Sequence, residues 1–216
     1  MRALRVGLAA ALVVAGIGAG VQAAWADTPA GVADLGSADF TKAGTTITVP
    51  SLAPCTVDGT ASASSTVVRK TGVTFGGGNS SCTRTVVDPD NEVTTTTSTA
   101  TGKDFELSAL VSTGGPRIKL RSYQVTCTAT QTGTHAQWTF SGLIGISGLP
   151  SPVPANYVKP ITKPNNGPLL ANAEFNIQDQ PGDGSISLTM LRITFAPASG
   201  ITGSLTLGNT ACAPTP

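Results

Sequence analysis

The sequence predicts an all-β domain, an antiparallel β-sandwich or barrel-like fold of about ten short strands with no significant helix after its leader. Three observations carry that prediction. Beyond residue 26 almost no stretch places apolar residues at helical spacing. Short β-branched runs recur instead, bounded by Gly, Asn, Asp and Pro. Threonine is the dominant polar residue, 32 of 216, while charged residues are only 12% of the chain, against a usual ~25%. Threonine is polar yet stiff at χ1, which suits the wet face of a strand.

The first element is not a strand. Arg2 and Arg5 precede an uncharged apolar run from Val6 to Val21, and Ala24-Trp25-Ala26 follows. A basic start, an apolar core and an A-x-A ending make a secretory signal peptide, so residues 1–26 are read as a leader cleaved after Ala26. The apolar run is shorter than the ~20 residues that cross a bilayer as a helix, and no later run reaches that length. The mature chain is therefore expected outside the cell, secreted or associated with the envelope, without membrane insertion. Losing Arg2 and Arg5 leaves 11 basic residues against 12 acidic, a net charge of −1. That balance gives no electrostatic footprint for nucleic acid. Residues 27–40 are read as an N-terminal segment, and 41–216 as a single β-domain.

The strands follow in order. Thr45–Pro50 alternates, and "SSTVVRK", "GVTF" and "CTRTVV" are short β-branched runs. "DPDNE" at Asp88–Glu92 is a turn. "NEVTTTTSTATG" reads as an exposed strand rather than a glycosylated stalk, because it lacks proline and strand-like runs flank it. "DFELSALVST" and "RIKLRSYQVTC" flank Gly114-Gly115 as a hairpin. In "HAQWTF" the alternation turns Ala136, Trp138 and Phe140 inward and His135 and Gln137 to solvent. "ANAEFNIQ" turns Ala171, Ala173, Phe175 and Ile177 inward and leaves Glu174 on the wet face. In "SISLTMLRITF" the apolar phase shifts after Met190, which predicts a β-bulge there. Ile201, Gly203, Leu205 and Leu207 line the last strand. Between these halves, residues 148–168 hold six prolines. They read as a surface connection, since proline removes ladder donors.

Four cysteines stand at 55, 82, 127 and 212. An even count in an exported chain reads as two disulfides. Their wide spacing does not make the close pairs that bind zinc.

From Ser122 to Cys212 the chain runs through "VTCTAT", "FSGLIGISG", the proline-rich loop, "EFNIQDQ", "GSISLTMLRITF" and "GSLTLGNTAC". This order resembles the choice-of-anchor P family of secreted actinobacterial surface proteins. Ile177-Gln178-Asp179-Gln180 stands where that family has a Leu-Asn-Glu-Gln-like segment. The resemblance implies a secreted or surface β-domain and a Cys127–Cys212 bridge, which leaves Cys55 for Cys82. It departs from the family in the C-terminal sorting signal or membrane helix that members often carry.

Motifs for chemistry are few. His135 is the single histidine and no G-x-S-x-G elbow is present, so no catalytic triad is expected. No cofactor is expected either. Asp88, Asp90 and Glu92 are oxygen ligands for a candidate calcium site, though the glycine and distant glutamate of an EF-hand loop are missing. Arg117, Lys119 and Arg121 alternate with Ile118 and Leu120, a basic stripe suited to an anionic envelope polymer. Tyr157, within the proline-rich loop, is a candidate exposed platform for a ligand. The expected function is a non-enzymatic binding, adhesion-type or structural module with an unidentified envelope or surface partner. The competing reading is a glycosidase-like hydrolase using Glu174, Asp179 and Asp183, which requires two carboxylates facing each other across a cleft.

Overall fold

The β-branched runs form two seven-stranded antiparallel sheets packed face to face. The structure is a computed structural model that describes residues 30–214 except 92. The leader read at 1–26 and the end of the chain at 215–216 lie outside the described residues.

The chain forms β1 (Gly31–Lys42), β2 (Thr45–Val49), β3 (Cys55–Thr56), β4 (Ser62–Ser65), β5 (Val68–Lys70), β6 (Val73–Phe75), β7 (Gly78–Asp88) and β8 (Val93–Leu107). It continues through β9 (Ile118–Thr130), β10 (Gly133–Ser141), β11 (Tyr157–Thr162), β12 (Leu169–Asp179), β13 (Ile186–Phe195) and β14 (Ile201–Cys212). The first sheet runs β11-β12-β13-β14-β1-β2, with β3 also paired to β1. In the second, β8 lies between β9 and the strands β6 and β7; β10 closes one side, and β4 and β5 the other.

Three expectations change. Residues 31–40, set apart as an N-terminal segment, are most of β1, which pairs with β14 from Gly31 to Lys42. A boundary at residue 41 would cut the strand, and its buried residues Ala33, Leu35, Ala38 and Phe40 belong to the main core. The stretch read as a simple Gly114-Gly115 hairpin contains a 3-10 turn, Ala109–Thr113, between β8 and β9. Ala109 and Leu110 are fully buried there. The proline-rich segment contributes strand β11, with Pro160 opposite Asn172. It sits at a sheet edge, where a missing backbone donor is tolerated.

The phase shift at Met190 is collective. Leu35, Gly208, Met190 and Asn176 drop out of the ladder side by side on four adjacent strands, and register resumes without an inserted residue. Gly208 (φ 62°) and Asn176 (φ 55°) take left-handed backbone at this line, which glycine and asparagine tolerate best. Leu188 and Met190 face the core on one side of the line, and Leu191, Ile193 and Phe195 on the other. The threonine-rich run is β8, a long central strand of the second sheet.

Candidate functional site

Charge separates along the strands. At one end, the connection between β8 and β9 draws basic residues from several elements. Lys42 Nζ donates to the Ala109 carbonyl at 2.9 Å. The Gly72 carbonyl accepts from the Ser108 and Ala109 N–H groups, which brings in the β5–β6 hairpin with Arg69 and Lys70. Lys163 lies against Gly114. Lys159 and Pro116 line one shallow pocket, and Arg117, Lys119 and Arg121 continue over the outer face of the second sheet. The acidic residues in this region include Asp39, Asp104 and Glu106.

The opposite end is acidic. Asp58, Asp88, Asp90, Asp179 and Asp183 occupy its turns and strand ends. Its basic residue, Arg84, is paired with Asp58 at 3.2 Å. Thr134 donates to the Gly184 carbonyl at 2.7 Å, joining the β9–β10 and β12–β13 turns. Ala213 N–H donates to the Ala30 carbonyl, so both ends of the described chain lie here. β1 runs from the acidic to the basic end, roughly 36 Å at the usual strand rise. A chain with almost no net charge is thus strongly bipolar.

Within the basic end, Glu106 organises the stripe. It pairs with Arg117 and, at 3.0 Å, with Lys119. The hydrogen bond from Lys119, assisted by Arg117, holds its carboxyl below the ordinary range. Arg121 has no ion pair among the described residues. Asp104, Glu106, Lys119, Arg121 and the exposed Ile144 surround an open pocket of about 230 Å³. Ile144 is anchored by a two-way backbone bridge to Lys119. The pocket itself is open and of mixed charge, Lys119 and Arg121 against Asp104 and Glu106, and the unpaired Arg121 is the cation it offers to an anion lying across the surface.

The other predicted residues do not join this site. Tyr157 starts β11 opposite Phe175 and is half-buried against the core, on a strand and not in an exposed loop. Glu174 pairs with Arg192 at 3.4 Å on the outer face of the first sheet. Asp179 lies five residues further along the strand, about 16 Å away by strand rise. The Asp183 carboxylate accepts from the Ser185 N–H at 2.8 Å and the Ser185 hydroxyl at 2.5 Å, which lowers its pKa. Glu174 and Asp183 are therefore engaged with different partners, Arg192 and Ser185. Asp88 caps its own turn, accepting from the Asp90 and Asn91 backbone and the Asn91 side chain. The Asn91 side chain leads in depressing its pKa. Glu92 lies outside the described residues, and no cluster of three metal-ligating side chains occurs among the described ones. His135 is exposed on β10.

Two features escaped the sequence reading. Trp138 and Phe140 are only half-buried and stack at 5.5 Å, with Phe175 6.5 Å from Trp138. The alternation turns them inward, but β10 is a sheet edge, and one strand's pattern carries no record of its neighbours. Asp34 is held among hydrogen bonds from Asn209 (2.7 Å) and the Gly36 N–H (2.7 Å). Burial pushes its carboxyl up despite those bonds. Behind it, the buried Tyr123 hydroxyl donates to the Leu35 carbonyl at 2.7 Å, and burial pushes that phenol up as well.

Fold and site together define a two-sheet antiparallel β-sandwich with opposite charge at its ends. Disulfides join Cys55 to Cys82 and Cys127 to Cys212, with Cα separations of 5.7 and 5.9 Å. No described helix is long and apolar enough to cross a membrane. Comparison with protein-family models, curated proteins and solved structures gives no match.

Proposed function

We propose that this chain is a non-enzymatic binding module that works outside the cytosol, at or near the cell envelope, and holds an anionic polymer at its basic end. The charge separation carries this reading. Lys42, Arg69, Lys70, Arg117, Lys163 and their neighbours converge there from distant parts of the chain, and a concentrated field of one sign attracts a flexible polyanion. Two disulfides support a compartment outside the reducing cytosol. The leader at 1–26 supports export. The ligand class is a linear polymer bearing phosphodiester or carboxylate groups, with contacts spread over exposed side chains.

Retention on an immobilised phosphodiester polymer tests the proposal. The protein binds at low ionic strength and is released progressively as salt screens the contact. Failure to bind at low salt, or binding indifferent to salt, overturns it.

A further inference from the structure

A two-sheet sandwich has exposed strand edges, and unprotected edges pair with other chains. Most edges here are blunted. β11 carries Lys159, Pro160 and a register break between Ile161 and Thr162. β2, β3, β4 and β5 have at most five residues each. The open stretch of β7 carries Arg84 and breaks register between Val86 and Asp88. β10 is different. It has nine residues, with no proline, Lys, Arg, Asp or Glu, and an unbroken register against β9 from Gly133 to Ser141. Among the described residues, no strand pairs with its second edge and no backbone hydrogen bond reaches it.

We propose that β10 pairs with β10 of a second copy of this chain, antiparallel about a twofold axis at Gln137. Three observations name that occupant. Full-length pairing of Gly133–Ser141 with itself centres on Gln137, and it opposes no charged side chains. It sets Ala136 opposite the partner copy's bulky Trp138 and Thr134 opposite its Phe140, small against large on the inner face. An open cleft of about 360 Å³ between Trp138, Phe140, Pro152 and Val153 receives that face. Finally, β10 starts at the acidic end, beside Gly184, and finishes at the basic end, where Gly142 packs on Arg121. Antiparallel pairing therefore places each basic end beside the other copy's acidic end, around Asp183. This inference is independent of the polymer-binding reading.

Sedimentation velocity from micromolar to millimolar concentration tests it. The wild type forms a dimer whose fraction grows with concentration and falls with added salt. Gln137 is exposed, and Gln137→Lys sets two lysines directly opposite each other, so association weakens about fivefold. Its thermal midpoint at high dilution stays that of the wild type. Gln137→Cys forms an interchain disulfide under mild oxidation, because directly opposed residues have Cα atoms ~4.5–5.5 Å apart. Thr48→Cys, exposed on β2, does not. A wild type that stays monomeric over the whole range overturns the proposal and leaves the edge to an extended segment of another protein. A dimer that is indifferent to Gln137→Lys and gives no Gln137→Cys cross-link overturns it equally.

Discussion

The two ends of the sandwich are held together by different forces. At the basic end, aromatic packing dominates. Phe40 meets Phe195 at 5.2 Å and Phe75 meets Phe105 at 5.5 Å, with Leu107, Leu110 and Ile118 fully buried around them. At the acidic end the buried layer is partly polar, made of Ser80, Thr96, Ser98 and Thr210. Both disulfides cross there. Ser98 of β8 is flanked by Cys82 on β7 and Cys127 on β9. Their partners Cys55 and Cys212 lie on either side of β1 in the facing sheet. Gly31 admits the polar layer, since a Cβ on it would stand 2.5 Å from the Thr96 methyl. Where apolar burial runs short, covalent bonds between the sheets take over. The basic end, with its surface of cationic side chains, rests on a core that needs no cross-link.

The largest effect expected from breaking this contrast is loss of the long bridge. Replacing Cys127 and Cys212 with alanine destabilises by about 4.6 kcal/mol on the chain-entropy account, against about 3.6 for Cys55 and Cys82. Denaturant titration of both double variants checks the order. A costlier loss of the shorter bridge means that native-state packing, not loop closure, sets the values. At the other end, Phe40→Ala costs about 3–5 kcal/mol by leaving a cavity in the aromatic layer. A loss below ~1 kcal/mol shows that the layer collapses to fill it.

A smaller change of opposite sign is expected at Thr96. Its hydroxyl and that of Ser98 are buried with no hydrogen-bond partner among the described residues. Thr96→Val keeps the shape and removes the unpaired group, so it stabilises by about 1–2 kcal/mol. Destabilisation argues that the hydroxyl is paired in solution. The smallest effect concerns Asp34. Its pKa is raised on folding by burial, so the folded state takes up the proton more readily than the unfolded chain. Asp34 therefore costs stability in full above its raised folded pKa; the cost shrinks as pH falls through that value and is gone below the unfolded pKa. The Gly36 and Asn209 hydrogen bonds both end on one oxygen, which an amide reproduces, while Ser51 also bonds the carboxylate. Asp34→Asn raises neutral-pH stability by about 1 kcal/mol or less and flattens this part of the pH profile. An unchanged profile refutes the assignment.

The contrast between the ends was only partly legible in the sequence. Period-two patterns located most strands. The phase change at Met190 marked a real line of disorder in the ladder, although its sideways extent through Leu35, Gly208 and Asn176 depends on strand order. The absence of helical period separated the fold class cleanly. Charge separation was invisible, because Lys42, Lys70, Arg117 and Lys163 are far apart in the chain and meet only through the β8–β9 connection. Composition reports the sum of charges, here close to zero, and not where they lie. The same non-local ordering hid the open edge of β10 and the half-exposed Trp138. Tyr157 was misplaced for the converse reason. Its surrounding prolines suggest a loop, whereas the free edge of β12 recruits the segment as a strand.

Binding of a phosphodiester polymer by charge variants at each end tests the central claim most directly. Lys70→Glu, Arg121→Glu and Lys163→Glu combined reverse charge at the basic end. Asp90→Lys with Asp179→Lys reverses it at the acidic end. The account predicts that the first variant loses affinity by about tenfold or more while the second stays near wild type. Equal and opposite changes, tracking net charge alone, would contradict it.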